Sequence, residues 1–433
     1  AVFDGDADDY RIDVTNSQIT DANTADGDGG TDTLRDIESV RFGDGTEVTF
    51  TSTDSEEFQV NTYIQGHQEQ PSMAGLTDGG YVVTWESYNQ DGSGEGVFAQ
   101  RYGASGEPLG DEFQVNTWTG NEQNRAEVTG LENGGFFITW QDSSGSNNQI
   151  GGGESYDVRG QLYNASGVAQ GPEVLINTQT YNDQTAPEVT ALADGGYVVT
   201  WHSRYQDTGS SDYGIYGQRY DANGMASGSE FRVNTYTSGE QTHPAVASMD
   251  DGGFVIAWQD SSGHDGGSSY DIRGQRYGSN GETRGDEFMV NSYVLNDQHD
   301  PDITGLDGGK FIVTWGDETT HANRPGTDTS GWGVFGQVFT TSNVEGEDAV
   351  SMSGDQFQIN STTNSTQSDA YVATLTNGNF VAVWYNGNNN DIRAQVFNAD
   401  GTKVGGEIEV DPDNSYNSNQ PSIAALADGG FAV

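Results

Sequence analysis

Tyrosine and tryptophan residues recur beside Asn, Asp and Gln in the stretches that separate short apolar runs. A flat aromatic face can lie against a sugar ring, and planar amides and carboxylates can bond to its hydroxyl groups. The residues that fit this chemistry are Tyr63, Trp118, Tyr236, Tyr293, Tyr88, Tyr205 and Trp332. These residues predict contact with a carbohydrate. The alternative is that they pack the loops against neighbouring repeats. Trp118 and Trp332 fit carbohydrate best because they lie outside the regular tryptophan positions.

Two acidic turns, 90–95 and 259–265, combine carboxylates, hydroxyl groups and glycines. Oxygen-rich turns of this kind can wrap a hard cation, so we predict structural calcium with solvated charge as the alternative. Neither turn has the spacing of an EF-hand loop. The candidate calcium ligands are Asp91, Glu95, Asp260 and Asp265.

Recognisable catalytic motifs are missing from the sequence. It contains no Gly-x-Ser-x-Gly turn, no zinc-binding His pair and no phosphate-binding loop. A glycosidase needs only two carboxylates at a suitable separation, and the chain has 66 acidic residues. A polysaccharide hydrolase or lyase therefore stays an alternative, but we predict that the protein is not an enzyme.

The charge of the chain restricts the classes of molecule that it is expected to bind. With 66 acidic and 16 basic residues, the formal net charge is −50. Such a surface repels phosphate backbones and anionic lipid, so nucleic-acid binding and membrane insertion are not expected. The chain has no cysteine, and no apolar run is long enough to span a bilayer.

Six tryptophans each end a short apolar run that follows a turn: Trp85, Trp140, Trp201, Trp258, Trp315 and Trp384. Their spacing of about 55 to 69 residues is typical of repeat proteins. The unit over 187–234 predicts four strands, at 187–193, 197–203, 214–220 and about 230–234, because Asp-Gly and Asn-Gly pairs between apolar runs predict hairpins. Four antiparallel strands, repeated radially, predict an all-β β-propeller over residues 54–433, with tandem β-sandwiches as the alternative.

The number of blades follows from the two ends of the repeat region. Residues 57–61 resemble a fourth strand without its first three, and residues 421–433 supply a first strand and the start of a second. Joining them closes a ring of seven blades whose last repeat is truncated. The third strands alternate between an aromatic residue and Arg at one position, which suits eight blades. The sequence favours seven and leaves eight open.

The loops from fourth to first strands and from second to third strands share one face of a propeller. The candidate aromatic residues fall in these loops, so this face is the predicted binding surface. A Gln recurs in the first set of loops, three residues before each expected first strand: Gln68, Gln123, Gln184, Gln241, Gln298 and Gln367. Since buried polar groups must be paired, we interpret these amides as structural ties, with a ligand-binding ring as the alternative. The six regular tryptophans are predicted to lie in the core.

Residues 1–53 do not follow the repeat and predict a small β-rich module. The run Gly30-Thr31-Asp32-Thr33-Leu34-Arg35-Asp36-Ile37-Glu38, followed by Phe42-Gly43-Asp44-Gly45, resembles the module beside calcium-binding β-rolls in RTX-type secreted bacterial proteins. The repeats, with phrases such as Asp-Gly-Gly-x-x-Val-Thr-Trp, look like tandem repeats of large RTX-type surface proteins. The resemblance implies type I secretion, surrounding calcium and an extracellular or cell-surface location. The β-roll nonapeptide array itself does not occur in the sequence.

These observations lead to one hypothesis and two alternatives. The hypothesis is a non-catalytic, adhesin-like surface protein that binds an extracellular glycan or a neighbouring surface protein through the face loops. The alternatives are a structural surface-layer or filament subunit and a secreted polysaccharide hydrolase or lyase.

Overall fold

The computed structural model describes residues 57–144, 155–207, 213–264, 270–294, 296–318, 331–344, 347–363, 365–411 and 419–433, and strands alone within 1–56. Three of those strands form an antiparallel sheet: β1 (Tyr10–Asp13), β2 (Gln18–Asp21) and β3 (Thr31–Thr33). Two more, β4 (Ser39–Arg41) and β5 (Glu47–Thr49), form a hairpin. The module boundary at residue 53 stays a prediction.

Six antiparallel sheets of the same design follow, and together they form a β-propeller. Their first strands are β6 (Gln68–Gly75), β10 (Gln123–Gly130), β14 (Gln184–Ala191), β18 (Gln241–Ser248), β22 (Gln298–Leu306) and β27 (Gln367–Thr374). Their second strands are β7 (Tyr81–Tyr88), β11 (Phe136–Asp142), β15 (Tyr197–Arg204), β19 (Phe254–Asp260), β23 (Lys310–Glu318) and β28 (Phe380–Asn386). Their third strands are β8 (Glu95–Tyr102), β12 (Asp157–Tyr163), β16 (Tyr213–Tyr220), β20 (Asp271–Tyr277), β24 (Trp332–Val344) and β29 (Asp391–Phe397).

The fourth strands are mostly short. They are β9 (Phe113–Gln114), β13 (Val174–Leu175), β17 (Phe231–Arg232), β21 (Thr283–Met289), β26 (Phe357–Gln358) and β30 (Lys403–Glu409). In the fifth blade an additional strand, β25 (Glu347–Met352), also pairs with β24. A carboxylate before the fourth strand accepts the backbone N–H of a Thr in the preceding blade, as Glu173 does from Thr117 at 2.8 Å. The outer part of each seam is therefore tied by hydrogen bonds as well as by packing.

The described residues form six blades of four antiparallel strands, so the expected count of seven or eight blades is not shown. A two-stranded hairpin, β31 (Ala424–Ala425) and β32 (Phe431–Ala432), lies between the sixth blade and the first. The count of seven came from joining residues 57–61 to residues 421–433. These two segments do not contain a third strand between them, so joining them does not make a four-stranded blade.

The core lies between neighbouring blades. Trp140, fully buried in the second blade, packs with Val97 and Val115 of the first, and Trp258 packs with Ile215 and Val233 in the same way. The regular tryptophans are at most 4% exposed, which confirms their predicted place in the core. Because each hydrophobic cluster draws on two blades, a single repeat cannot bury its apolar surface alone.

In the third and fourth blades, a fourth-strand phenylalanine covers a glycine of the third strand. A Cβ added at Gly274 would lie 2.5 Å from Cζ of Phe288. We therefore expect Gly274→Ala to lower the free energy of unfolding by about 1–3 kcal/mol, since the ring or the strand must move. Gly406→Ala, where no atom lies within 4 Å of the added methyl group, is the matched control. Urea denaturation measures both, and equal losses would contradict this packing.

Candidate functional site

The first strands line a central channel, and each contains the same irregularity near its start. Two residues after the opening Gln, a β-bulge shifts the register between first and second strands. The bulge residue is not glycine, yet its φ is between 49° and 53°. A left-handed conformation at such a residue costs about 1–2 kcal/mol. The six bulge residues are Gln70, Arg125, Ala186, His243, Asp300 and Asp369, and Gln420, before β31, has the same left-handed φ.

The bulge frees a backbone N–H, and the preceding blade satisfies it. In four seams the acceptor is the side chain that follows the core tryptophan. Ala186 N–H donates to Gln141 Oε1 at 3.1 Å, and His243 N–H donates to His202 Nδ1 at 3.2 Å. Arg125 N–H donates to Glu86 in the same way, and Asp300 N–H donates to Gln259. A hydrogen bond from the preceding blade thus stabilises the strained backbone. The bulge side chain takes no part in this bond.

The bulge residues surround the mouth of the channel, where a cavity of about 250 Å³ opens toward the loop face. Arg125 and Asp300 are exposed there, whereas His243, Asp369 and Gln420 are partly covered. Each is followed by Pro or Ala, which also lines the cavity. One position in the repeat therefore presents guanidinium, carboxylate, imidazole and amide groups around a single opening.

Below the mouth, carboxylates of different blades face the channel. Burial raises the pKa of Glu127 to about 7, although the Ser72 hydroxyl donates to this carboxylate at 2.7 Å. Burial also raises the pKa of Asp302 to about 7, and its Oδ2 accepts Val372 N–H at 2.7 Å. Burial and then the charge of Glu127 raise the pKa of Glu188 well above its usual value. Burial in the ring favours the protonated form of these carboxyl groups, although each remains partly exposed to the channel.

Two of the side chains that accept a bulge N–H also have shifted pKa values. Glu86 is 1% exposed, and burial is the main reason that its pKa is raised to about 8. Burial, followed by the neighbouring His243, holds the pKa of His202 well below its usual value. His202 Nδ1 accepts a backbone N–H, which fits a neutral ring.

A repeated amide network fixes the loops that lead to the channel. Asn234 accepts Ile215 N–H at 2.8 Å, donates to the Tyr236 carbonyl oxygen at 2.8 Å and donates to Gln241 Oε1 at 3.1 Å. Gln241 in turn donates to the Ser238 carbonyl oxygen. The recurring Gln is the first residue of its strand rather than three residues before it. Its interpretation as a structural tie is confirmed by these bonds.

The predicted aromatic residues are distributed around the loop face. Trp118, Tyr205, Tyr88 and Tyr293 are 45–51% exposed, as a ligand-contacting residue requires. The other three are partly buried: Tyr63, Tyr236 and Trp332. Their role in binding a ligand stays a prediction.

Two of the partly buried rings contact neighbouring side chains. Tyr236 stacks on His264, with the ring centroids 3.6 Å apart, and its face also meets the Arg273 guanidinium. Trp332 lies 4.9 Å from the His299 ring. These two rings are held by their neighbours, and among the exposed four the Arg204 guanidinium lies over the Tyr205 ring at 4.9 Å.

Of the predicted calcium ligands, Asp91 lies in a turn, Glu95 begins β8 and Asp260 ends β19. Asp91 accepts Ser93 N–H, and Glu95 accepts from Asn124. Asp260 pairs with Arg273 at 2.7 Å. Asp265 lies outside the described residues. Among the residues that the structure describes, no three acidic or histidine side chains are grouped to hold a metal ion, and calcium binding stays a prediction.

Sequence reasoning missed the channel mouth, although a signal for it is present. The bulge residue is the third of a recurring phrase, Gln-x-x-Pro or Gln-x-x-Ala, as in Gln241-Thr242-His243-Pro244. The recurring Gln and the recurring Pro or Ala indicate a structural element. The third residue differs between repeats, which indicates a position with a variable side chain. In the parts of the chain that are described, no helix has the length and apolarity of a membrane span.

No family model and no curated protein matches the chain, so the RTX resemblance stays a prediction. The structure is similar to the intramolecular trans-sialidase from Ruminococcus gnavus, with a TM-score of 0.50 and 10% identity over 80% of this chain and 99% of that one. An α-L-arabinofuranosidase of Fusarium graminearum matches with a TM-score of 0.47 and 14% identity, over 71% and 86%. An α-L-arabinanase of Penicillium chrysogenum gives 0.46 and 14%, over 79% and 96%. At 10% identity, the similarity to the trans-sialidase shows that this chain shares the β-propeller fold.

Proposed function

We propose that the protein is a non-catalytic surface protein that binds a glycan at the channel mouth, with the exposed loop aromatics beside it. The observation that carries this proposal is the ring of bulge residues. Repeats keep a residue where structure needs it, as they keep the core tryptophan. At the bulge, all the repeats share an unfavourable left-handed backbone conformation, but the side chain differs from repeat to repeat. This is expected where side chains determine specificity.

The chemistry of the mouth favours a neutral glycan. Planar guanidinium, carboxylate and amide groups can each bond to adjacent hydroxyl groups of a sugar. Asp300 and Asp369 at the mouth outnumber Arg125, and the chain has a formal net charge of −50, so anionic sugars are repelled. The exposed Trp118 side chain offers apolar surface for further sugar units.

The proposal includes the setting that the resemblance implies. The protein would be extracellular or on the cell surface after type I secretion, and structural calcium would bind in its acidic turns. Its partners would be extracellular glycans, with a neighbouring surface protein as the second class of ligand for the same face.

A glycan array followed by calorimetry on the best neutral oligosaccharide tests the proposal. We expect Arg125→Ala and Asp300→Ala each to weaken binding about tenfold, the equivalent of one lost charged hydrogen bond. Both variants should stay folded, because Ala186 already occupies the equivalent bulge with φ of 49°. Met225→Ala, which removes a 67% exposed side chain from a turn on the opposite face, is the control.

Three results would overturn the proposal. Binding to anionic glycans alone would contradict the charge argument. Calcium-dependent assembly without sugar binding would favour the surface-layer or filament subunit. Release of reducing ends or unsaturated products from polysaccharide would establish the hydrolase or lyase.

A further inference from the structure

The loops that lead into the first strands each present two variable side chains at a constant spacing. The outer one lies two residues after the Asn of the amide network, whose Nδ2 donates to its carbonyl oxygen at 2.6–2.8 Å. The inner one is the bulge residue, seven positions later. In chain order the outer residues are Tyr63, Trp118, Gln179, Tyr236, Tyr293 and Thr362. In the same order the inner residues are Gln70, Arg125, Ala186, His243, Asp300 and Asp369.

The amide network holds the backbone between the two positions. In every one of these loops the Asn also donates to the opening Gln, at 2.9–3.3 Å. In the loop before the second blade, Gln123 donates to the Gly120 carbonyl oxygen at 2.8 Å, and Asn121 donates to the Ser143 carbonyl oxygen at 3.0 Å. The outer and inner residues of that loop are therefore held at a fixed separation before any ligand arrives, which lowers the cost of ordering them on binding.

Trp118 is the outer residue of this loop and the most exposed of the outer aromatics. Its side chain is 51% exposed, whereas that of Tyr293 is 45% exposed. Tyr63 and Tyr236 are partly buried. A large aromatic ring on a fixed backbone offers a flat apolar surface for a sugar ring at little entropic cost.

Arg125 is the inner residue of the same loop, and its guanidinium forms no ion pair with any described residue. Every other arginine in the described part of 57–433 does form one, as Arg101 does with Asp78. Arg125 is also exposed at the channel mouth. Its fork of N–H donors is therefore available to adjacent hydroxyl groups of a sugar.

The cavity at the mouth cannot hold a ligand that contacts both residues. Its volume of about 250 Å³ is below the roughly 300–1,000 Å³ of pockets that enclose drug-sized molecules. Arg125 lines this cavity and Trp118 does not. Seven residues span at most about 25 Å, so Trp118 is within reach of a short chain that leaves the cavity. A ligand that contacts both residues is therefore a chain of sugar units rather than one sugar.

We propose that the ligand is a linear neutral glycan chain, with one unit bonded to Arg125 at the channel mouth and a later unit stacked on Trp118. This inference rests on the glycan binding proposed above and adds the path of the chain, along the seam between the first and second blades. The outer and inner side chains select this seam. The next seam, with Gln179 and Ala186, offers neither an aromatic face nor a charged group.

Calorimetry on the whole chain with a length series of the best neutral oligosaccharide, from the disaccharide upward, tests the path. We expect the affinity to rise with length and then to level off. Trp118→Ala should lower the affinity for the longest member about tenfold and leave that for the shortest unchanged, because only the longer chain reaches the ring. Trp118→Tyr, which keeps an aromatic face, should restore most of the loss.

Tyr181→Ala is the matched control, since Tyr181 is also 51% exposed but belongs to the next loop and lies outside the outer position. This variant should bind every member of the series as the unchanged protein does. Arg125→Ala should weaken the binding of short and long members alike.

The two proposals fail in different ways. If Arg125→Ala weakens binding and Trp118→Ala does not, the path is wrong and glycan binding at the mouth stands. An affinity that does not rise with length, or an equal loss with Tyr181→Ala, would also reject the path. If no member of the series binds, glycan binding itself is contradicted, and the path with it.

Discussion

Replacing Asn234 with Ala is expected to lower the free energy of unfolding by about 3 kcal/mol. Asn234 is 2% exposed and ties three segments together. Without it, Ile215 N–H and Gln241 Oε1 lose their partners inside the protein. Each unsatisfied buried group costs about 1–3 kcal/mol, which is more than the net contribution of one hydrogen bond.

Asn61→Ala is the matched control for Asn234→Ala. It removes the same side chain at the equivalent position, because Val60-Asn61-Thr62 matches Val233-Asn234-Thr235, and the described partners there are fewer. We expect a loss of about 1 kcal/mol. Urea denaturation of both variants gives the comparison. Equal losses would show that the bonds to the third strand and the opening Gln do not stabilise the blade.

The stability of the protein is expected to fall between about pH 5 and pH 8, because the folded channel holds protons that the unfolded chain releases. Glu127, Asp302 and Glu86 have pKa values of about 7, 7 and 8 in the fold, against about 4 when unfolded. Their favourable contribution is complete below the unfolded pKa and is lost as the pH rises through the folded values. We expect a total loss of about 2–4 kcal/mol across this range, with allowance for water in the channel.

The variant Glu86→Gln tests whether a buried carboxyl group, rather than the overall charge of the protein, causes the pH dependence of stability. The amide oxygen can still accept Arg125 N–H, and Gln already occupies this position at Gln141 and Gln259. The variant should be more stable than the unchanged protein at pH 8 and should depend less on pH. Glu132→Gln removes an exposed carboxylate as the control. Parallel pH profiles for all three proteins, from denaturation at each pH, would contradict the assignment.

Much of the blade could be predicted from the sequence because its signals are local. For the third blade, the expected strands 197–203 and 214–220 became β15 and β16 with shifts of one residue. Asp-Gly-Gly turns and the apolar runs that end in tryptophan each form within a few residues. The local sequence pattern is therefore enough to predict these turns and strands. The all-β propeller followed from repeating that pattern.

The blade count and the channel mouth depend on contacts between distant residues, and the sequence predicted them less well. The count of seven followed from joining two short segments at the ends of the repeat region, and local sequence patterns do not show how distant segments assemble. The bulge at His243 depends on an acceptor in another blade, His202, which no local pattern reveals. The sequence placed all the aromatic loop residues on one face, and only the structure distinguishes exposed Trp118 from Tyr236, which stacks on His264.

The brevity of most outer strands has a consequence for crowded surfaces. Four of the six complete blades end in a strand of only two residues: β9, β13, β17 and β26. A short edge offers few unpaired backbone groups to another molecule, and the high negative charge opposes close lateral approach. Densely displayed copies are therefore expected to remain dispersed side by side instead of fusing into fibrils, which keeps each loop face open to its surroundings.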